Sequence, residues 1–207
     1  MKYLVKIPAF VQRWFYPRFT WKMPEGSNKI YLTFDDGPHP SITPFVLDQL
    51  KQYGASATFF CVGSNVEKYP EVYKRILIEG HAVGNHTYQH LNGWSTSDKE
   101  YIEDITKAAA LIDSRLFRPP YGRISRFQAA QLMDKLQYKI IMWTLLSGDF
   151  DPAISPEKCV TNVMKRADDG AIIVFHDSEK ANDRMKFALP IVLKELTEKG
   201  YVFEKIV

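Results

Sequence analysis

The chain is poor in several features, and each shortage removes a class of protein. It carries two cysteines, Cys61 and Cys159. They lie far apart and belong to no Cys-x-x-Cys pattern, which argues against a disulfide-stapled scaffold or a cysteine-built zinc site. Both fall in apolar runs and read as buried free thiols, a usage that suits a reducing compartment. No apolar run approaches the roughly 18 residues needed to cross a bilayer. No block of five or more basic residues occurs and the net charge is only +3, so nucleic acid is not indicated as a partner. The first ten residues lack a long apolar stretch and a small-x-small cleavage site, so no signal peptide is evident. The expected placement is therefore cytoplasmic or membrane-proximal. Linkers and low-complexity segments are missing too.

What is present is an ordinary globular composition, with 207 residues, 45% hydrophobic and 25% charged. That length is ample for one sizeable core. The first 28 residues stand apart. Phe10, Trp14, Phe15, Tyr16, Phe19 and Trp21 are interleaved there with Arg13, Arg18 and Lys22. A segment of this kind is expected to fold back over one end of the domain. Peripheral membrane contact through residues 10–22 is the other reading.

From residue 29 to 207 the chain alternates strand and helix as a single domain. Strands are predicted at 30–34, 57–62, 81–84, 116–118, 138–144, 171–175 and 201–207. Helices are predicted between them: from Thr43 as cap to Gly54, over 70–79, from the capping box at Ser97 to about 113, and from a second box at Ser125 to about 136. Two more follow, from Ser155 to near Gly170 and over 183–199 with an interruption at Pro190. Continuous apolar strands separated by helices imply a parallel sheet covered on its outer side. Seven such units predict a closed or nearly closed β/α barrel, smaller than the usual eight-unit form. An open doubly wound sheet is the competing arrangement.

The residues able to do chemistry follow strands. Asp35 and Asp36 end the first strand, His86 and His90 follow the third, Arg118 ends the fourth, Asp149 follows the fifth and His176 the sixth. In a β/α barrel those positions converge on one rim. His-x3-His has a random expectation of roughly 0.1 per chain of this histidine content. Spaced by one helical turn, His86 and His90 would point the same way, and one carboxylate would complete a two-His-one-Asp metal site. The second aspartate would stay unligated and accept a proton from water. Arg118, on a proline-locked turn, would hold Asp35 by a bidentate contact and keep it ionised. Asp149 behind His176 would raise and orient that imidazole as a proton donor. Trp94, Tyr88 and Tyr121 are aromatics that could stack on a sugar ring, whereas His39 and His81 read as structural.

Together these segments resemble the polysaccharide deacetylases of carbohydrate esterase family 4, the NodB-like homology domain. Thr33-Phe-Asp-Asp36 resembles the first motif and His86-Thr-Tyr-Gln-His90 the second. Arg118-Pro-Pro-Tyr121, Ser147-Gly-Asp-Phe150 and Val174-Phe-His176 resemble the remaining three, in order. The resemblance covers 29–207 and leaves 1–28 outside. It implies a distorted (β/α)7 barrel and hydrolysis of an N-acetyl (or O-acetyl) group on a carbohydrate such as an N-acetylglucosamine-containing glycan. It further implies Asp35 as general base and Asp36, His86 and His90 as ligands of a divalent metal, most readily zinc, with cobalt or nickel as options. Arg118 would tether Asp35, His176 would be the general acid tuned by Asp149, and the Tyr121 backbone N–H would help hold the oxyanion. Two departures stand out: Phe150 occupies a position where the family usually carries Trp, and Val174 one where it carries Leu. Competing readings are a non-sugar amide, a formyl or acetyl group on a lipid-linked sugar, a silent carbohydrate-binding module, and an iron(II) oxygenase sharing the ligand set.

Overall fold

A computed structural model describes residues 16–207. Phe10, Arg13, Trp14 and Phe15 of the aromatic, basic stretch lie outside the described residues, while Tyr16, Arg18, Phe19, Trp21 and Lys22 lie within them. Among the described residues no helix is long and apolar enough to cross a membrane.

The strands are β1 (Lys29–Asp35), β2 (Thr58–Cys61), β3 (Ala82–Asn85), β4 (Leu116–Phe117), β5 (Lys139–Ile140), β6 (Leu145–Leu146), β7 (Ile172–His176) and β8 (Val202–Phe203). Helices α1 (Ile42–Gln52), α2 (Gly63–Lys68), α3 (Pro70–Ile78), α4 (Asp98–Ala109), α5 (Arg126–Ala130), α6 (Pro156–Met164) and α7 (Asn182–Glu198) connect them. All strand pairs are parallel, in the order β5-β4-β3-β2-β1-β7-β6, with β8 added beside the start of β1. This is the distorted (β/α)7 barrel.

Its distortion has a local cause. The stretch 138–144, predicted as one strand, is split. Ile141 N–H still donates to Phe117 O on the β4 side at 2.8 Å, while Thr144 N–H donates to Ile172 O on the β7 side at 2.9 Å. One short segment therefore joins both edges of the sheet, and its middle loses the ladder. Residues 20–21 cover part of the break: Thr20 N–H donates to Ile140 O, Met142 N–H to Thr20 O, and Thr144 Oγ1 to Trp21 O.

Alternation along each strand builds two cores. Leu32, Phe34, Phe59, Ile173 and Phe175 pack outward against α1, α6 and α7. Tyr31, Phe60, Leu116, Ile141, Ile172 and Ile206 fill the barrel interior. Gly84 makes room inside, since a Cβ there would come within 2.5 Å of the Phe60 ring.

Helix starts follow the sequence unevenly. Ser125 and Gln128 form a complete capping box, and Ser97 accepts from Glu100 N. Thr43 is not a cap: it lies inside α1, buried, and its hydroxyl accepts His39 N–H at 2.7 Å. The free N–H groups of Ser41 and Ile42 go instead to His39 Nδ1, both at 3.3 Å. Pro190 does not interrupt α7, and the helix after Ser155 ends at Met164, short of Gly170. His81 Nδ1 accepts Ala57 N–H at 3.2 Å, a bracing contact far from the rim.

Candidate metal centre and acid–base site

Register places the chemistry. Asp35 is level with Phe60 and His176, Cys61 with Asn85, and Asn85 with Phe117. One residue further on, the chain leaves the sheet as Asp36, His86 and Arg118. The three sequence segments thus reach the rim together because their strands end together.

The turn after β1 is held from two sides. Asp36 takes a left-handed φ of 80°, which an aspartate tolerates better than most residues. Asn65 Nδ2 donates to Asp36 O at 2.8 Å. Asp177 Oδ1 accepts Gly37 N–H at 3.1 Å, and its other oxygen accepts the Thr43 hydroxyl. Gly37 is obligatory there, because a Cβ would lie 2.1 Å from Asp177 Oδ2. Burial, with a contribution from the Asp36 charge, pushes the Asp177 carboxyl up to about 7.

The histidine pair does not lie on a helix. Residues 86–90 form a loop in which Thr87 and His90 have φ of 65° and 56°. Such backbone is costly for non-glycine residues and persists only where the surroundings impose it. Asp104, on α4, imposes it by accepting from Tyr88 N–H at 2.7 Å and Gln89 N–H at 3.0 Å, while Asn85 Oδ1 accepts Thr87 N–H at 2.8 Å. The Asp104 contacts reach across 15 and 16 residues of chain, so the spacing alone suggested a helical turn.

The loop brings the rings together all the same. His90 Nε2 lies 3.1 Å and His86 Nε2 3.7 Å from Asp36 Oδ1. Ligands of a tetrahedral zinc with bonds of about 2.0–2.1 Å lie roughly 3.3 Å apart, so this set fits a divalent ion of that size. Among the described residues these three form a group able to hold a metal. His86 Nδ1 donates to Arg118 O at 2.7 Å, leaving the Nε2 lone pair for a ligand role. Burial brings His86 down to about 4, so it is neutral near pH 7. Tyr121 Oη meets His90 Nδ1 at 3.2 Å. Burial alone would raise Asp36, but the His90 hydrogen bond and the neighbouring histidine charges outweigh it and hold the carboxyl below its usual range.

Asp35 points the other way, into the barrel mouth, where it is 5% exposed. Arg118 Nη1 donates to Asp35 Oδ1 at 2.7 Å and also to Thr33 Oγ1. The expected bidentate grip does not form. Nη2 goes to Met142 O at 2.9 Å and Nε to Ile141 O at 3.1 Å. These carbonyls are freed by the broken ladder after β5, and a buried guanidinium is the group that satisfies them. The guanidinium carbon also lies 4.1 Å from the Phe60 ring centroid.

On the neighbouring strand β7, His176 Nδ1 pairs with Asp149 Oδ1 at 2.8 Å, and the His176 N–H donates to Oδ2 at 2.7 Å. Arg184 Nε donates to Asp149 O at 2.6 Å. Burial opposes the imidazolium, yet the Asp149 charge and hydrogen bond, helped by Asp36 and Asp35, raise His176 to about 9. The Phe150 ring stands edge-on to His176 at 5.2 Å.

Of the aromatics proposed for stacking, Trp94 and Tyr121 are each 63% exposed, but Tyr88 is buried at 6% and its hydroxyl bonds Glu67. Tyr88 is packing. Asn65, Asp104 and Asp177 escaped the sequence reading, because each acts through a contact with a distant loop, and Thr33 stood there only as the first residue of a motif. Only Asp177, next to His176, carried a positional hint.

The family model for polysaccharide deacetylase matches residues 22–141. A peptidoglycan-N-acetylglucosamine deacetylase of Bacillus cereus is 37% identical over 194 residues, covering 89% of each chain. The chain belongs to the polysaccharide deacetylase family. This deacetylase-family chain is also similar in structure to the Bc1960 peptidoglycan N-acetylglucosamine deacetylase. That match has a TM-score of 0.88 and 31% identity, covering 97% of this chain and 95% of that one. A CE4 family pseudoenzyme from Bacillus anthracis matches with a TM-score of 0.78 at 26% identity, over 90% of this chain and 66% of that one. Membership therefore fixes fold and family, and activity must be argued from the residues.

Proposed function

We propose that the chain is a metal-dependent hydrolase that removes the acetyl group from N-acetylglucosamine units of a glycan, with peptidoglycan as the leading substrate. One observation carries the reading. Three metal donors share one rim with a carboxylate fixed to Arg118 and an imidazole backed by Asp149.

A divalent cation, zinc or another such as cobalt or nickel, bound by Asp36, His86 and His90 would polarise the acetyl carbonyl and acidify water. The protein supplies the rest. Asp35, immobile at the end of β1, takes the proton of the attacking water. The Tyr121 N–H, on a left-handed residue of φ 60°, donates to the carbonyl oxygen as it gains charge, a contact worth about 3–4 kcal/mol for a strong donor. His176 delivers a proton to the nitrogen as the carbon–nitrogen bond breaks. An amine leaves poorly without that proton, so the elevated His176 favours an amide over an acetyl ester. A silent binding module would need neither arm, and an iron(II) oxygenase would need only the ligand triad.

Acetate release from peptidoglycan fragments, chitotetraose and acetylxylan tests the proposal. Release is expected from the N-acetylated glycans, abolished by a zinc chelator and restored by added zinc. No acetate from any of them, with zinc bound, would reject it.

A further inference from the structure

Beside the acid–base site the surface carries an aromatic that the chemistry does not use. Trp94 follows His90 by four residues and is 63% exposed. An indole in water contributes little to a core, yet this one is fastened. Its Nε1–H donates to Ile124 O at 3.1 Å, and its own N–H donates to Asn92 Oδ1 at 3.0 Å. The preceding Gly93 is clamped to the same neighbouring loop, with its carbonyl accepting Gln128 Nε2–H at 2.9 Å from a fully buried side chain. A Cβ on Gly93 would fall 2.6 Å from Arg123 O, so the two loops touch backbone to backbone.

Arg123 completes the arrangement. Its guanidinium lies over the Trp94 ring at 5.3 Å, and among the described residues it has no carboxylate partner. It follows Tyr121 by two residues, at most about 7 Å of chain. Tyr121 in turn packs edge-on against the ligand His90 at 4.7 Å. A pinned, exposed aromatic and an unpaired cation thus continue the metal-bearing loops outward along one side of the rim.

We propose that Trp94 and Arg123 form a subsite for the sugar next to the acetylated unit. The open indole face takes the apolar face of a pyranose, and the guanidinium takes a carboxylate carried by that sugar. The glycan class is one in which acetylated amino sugars alternate with carboxylated ones. The inference rests on the deacetylase reading above and adds to it a preference for anionic over neutral chains.

The test uses the zinc-loaded protein and two tetrasaccharides, chitotetraose and an N-acetylglucosamine–N-acetylmuramic acid repeat. Trp94→Ala is expected to raise KM about tenfold on both, with kcat within about twofold, and Trp94→Phe to recover most of the loss. Chitobiose should be affected less than chitotetraose. Arg123→Gln is expected to raise KM about tenfold on the carboxylated repeat and less than about twofold on chitotetraose. Calorimetry in an Asp35→Asn background reads binding of the same two sugars apart from turnover. Wild-type protein that binds them but frees no acetate rejects the deacetylase reading alone. Variants of Trp94 and Arg123 that bind and turn over both sugars like wild type reject the subsite alone. An equal effect of Arg123→Gln on both sugars removes the anionic preference.

Discussion

Two ion pairs share the rim with the candidate metal donors, with nearly the same contact distance and, in the proposed mechanism, opposite uses. Arg118 meets Asp35 at 2.7 Å, and His176 meets Asp149 at 2.8 Å. In the first pair the cation is a guanidinium, which cannot give up its proton, so the carboxylate is the member free to react. In the second the cation is an imidazolium, which can donate, and the carboxylate is the holder. In the proposed mechanism, exchanging which partner titrates turns one geometry into a base arm and an acid arm. The arms lie side by side because Asp35 and His176 are register partners on β1 and β7.

The most severe way to break the comparison is to remove the reactive group of the base arm. Asp35→Asn keeps the shape and leaves Asp36, His86 and His90 untouched, so bound zinc should stay stoichiometric. Turnover should fall by about 10³-fold, within the range of general-base contributions. Wild-type kcat in this variant would strip Asp35 of its role, and loss of zinc on elemental analysis would move it into the ligand set.

Next comes the holder of the same arm. Arg118→Met leaves Asp35 as an uncompensated buried charge, a loss of about 3–5 kcal/mol. It also strands the carbonyls of Ile141 and Met142, at about 1–3 kcal/mol for a buried unsatisfied group. Denaturant unfolding should show a loss of unfolding free energy of at least that size. A shift under about 1 kcal/mol would mean that the break after β5 is held by something else.

The acid arm answers in pH rather than in stability. In the proposed mechanism His176 must be protonated to act, so activity should persist below its pKa and be lost above it. Its pKa, which burial alone would lower, is raised to about 9 chiefly by the Asp149 charge and hydrogen bond, which moves the alkaline limb up from the ordinary histidine range. A cation on Asp36 cancels part of that carboxylate's influence and draws the limb lower. Asp149→Asn deletes the main charge sustaining the imidazolium, so the limb should move down by about 1–2 pH units. An unmoved limb in kcat against pH would remove Asp149 as the tuning group.

How far the two arms could be read from the sequence follows from their construction. Asp35, His176, Arg118 and Asp149 end apolar strands, and parallel strands that end together put such residues on one rim; that is legible from pattern alone. The backbone of the ligand loop is not. His-x3-His carries a helical spacing, while Asp104 on α4 accepts the Tyr88 and Gln89 N–H groups of a loop with left-handed φ at Thr87 and His90, contacts that no local window contains. The same applies to Arg118: its residue type foretells a partner for Asp35, but its other two nitrogens answer a break in strand 138–144 that apolar continuity concealed. Asp177, after β7, and Asn65, on α2, brace the Asp36 turn, and a lone Asp or Asn announces nothing of that kind.

The smallest effect sharpens the acid arm. Phe150 stands edge-on to His176 at 5.2 Å, in a position where the family resemblance leads one to expect Trp. The arm's hydrogen bonds come from Asp149 and not from residue 150, so Phe150→Trp should leave the alkaline limb in place. The larger indole would narrow the wall beside the imidazole, where the acyl methyl must fit if His176 reaches the nitrogen. An extra methylene in such a pocket is worth about 1–3 kcal/mol at most. Activity on acetylated chitotetraose should therefore change by less than about threefold, while activity on its propionylated counterpart should fall by about tenfold. An unchanged acetyl-to-propionyl ratio would place residue 150 outside the acyl wall and leave it as packing for the arm.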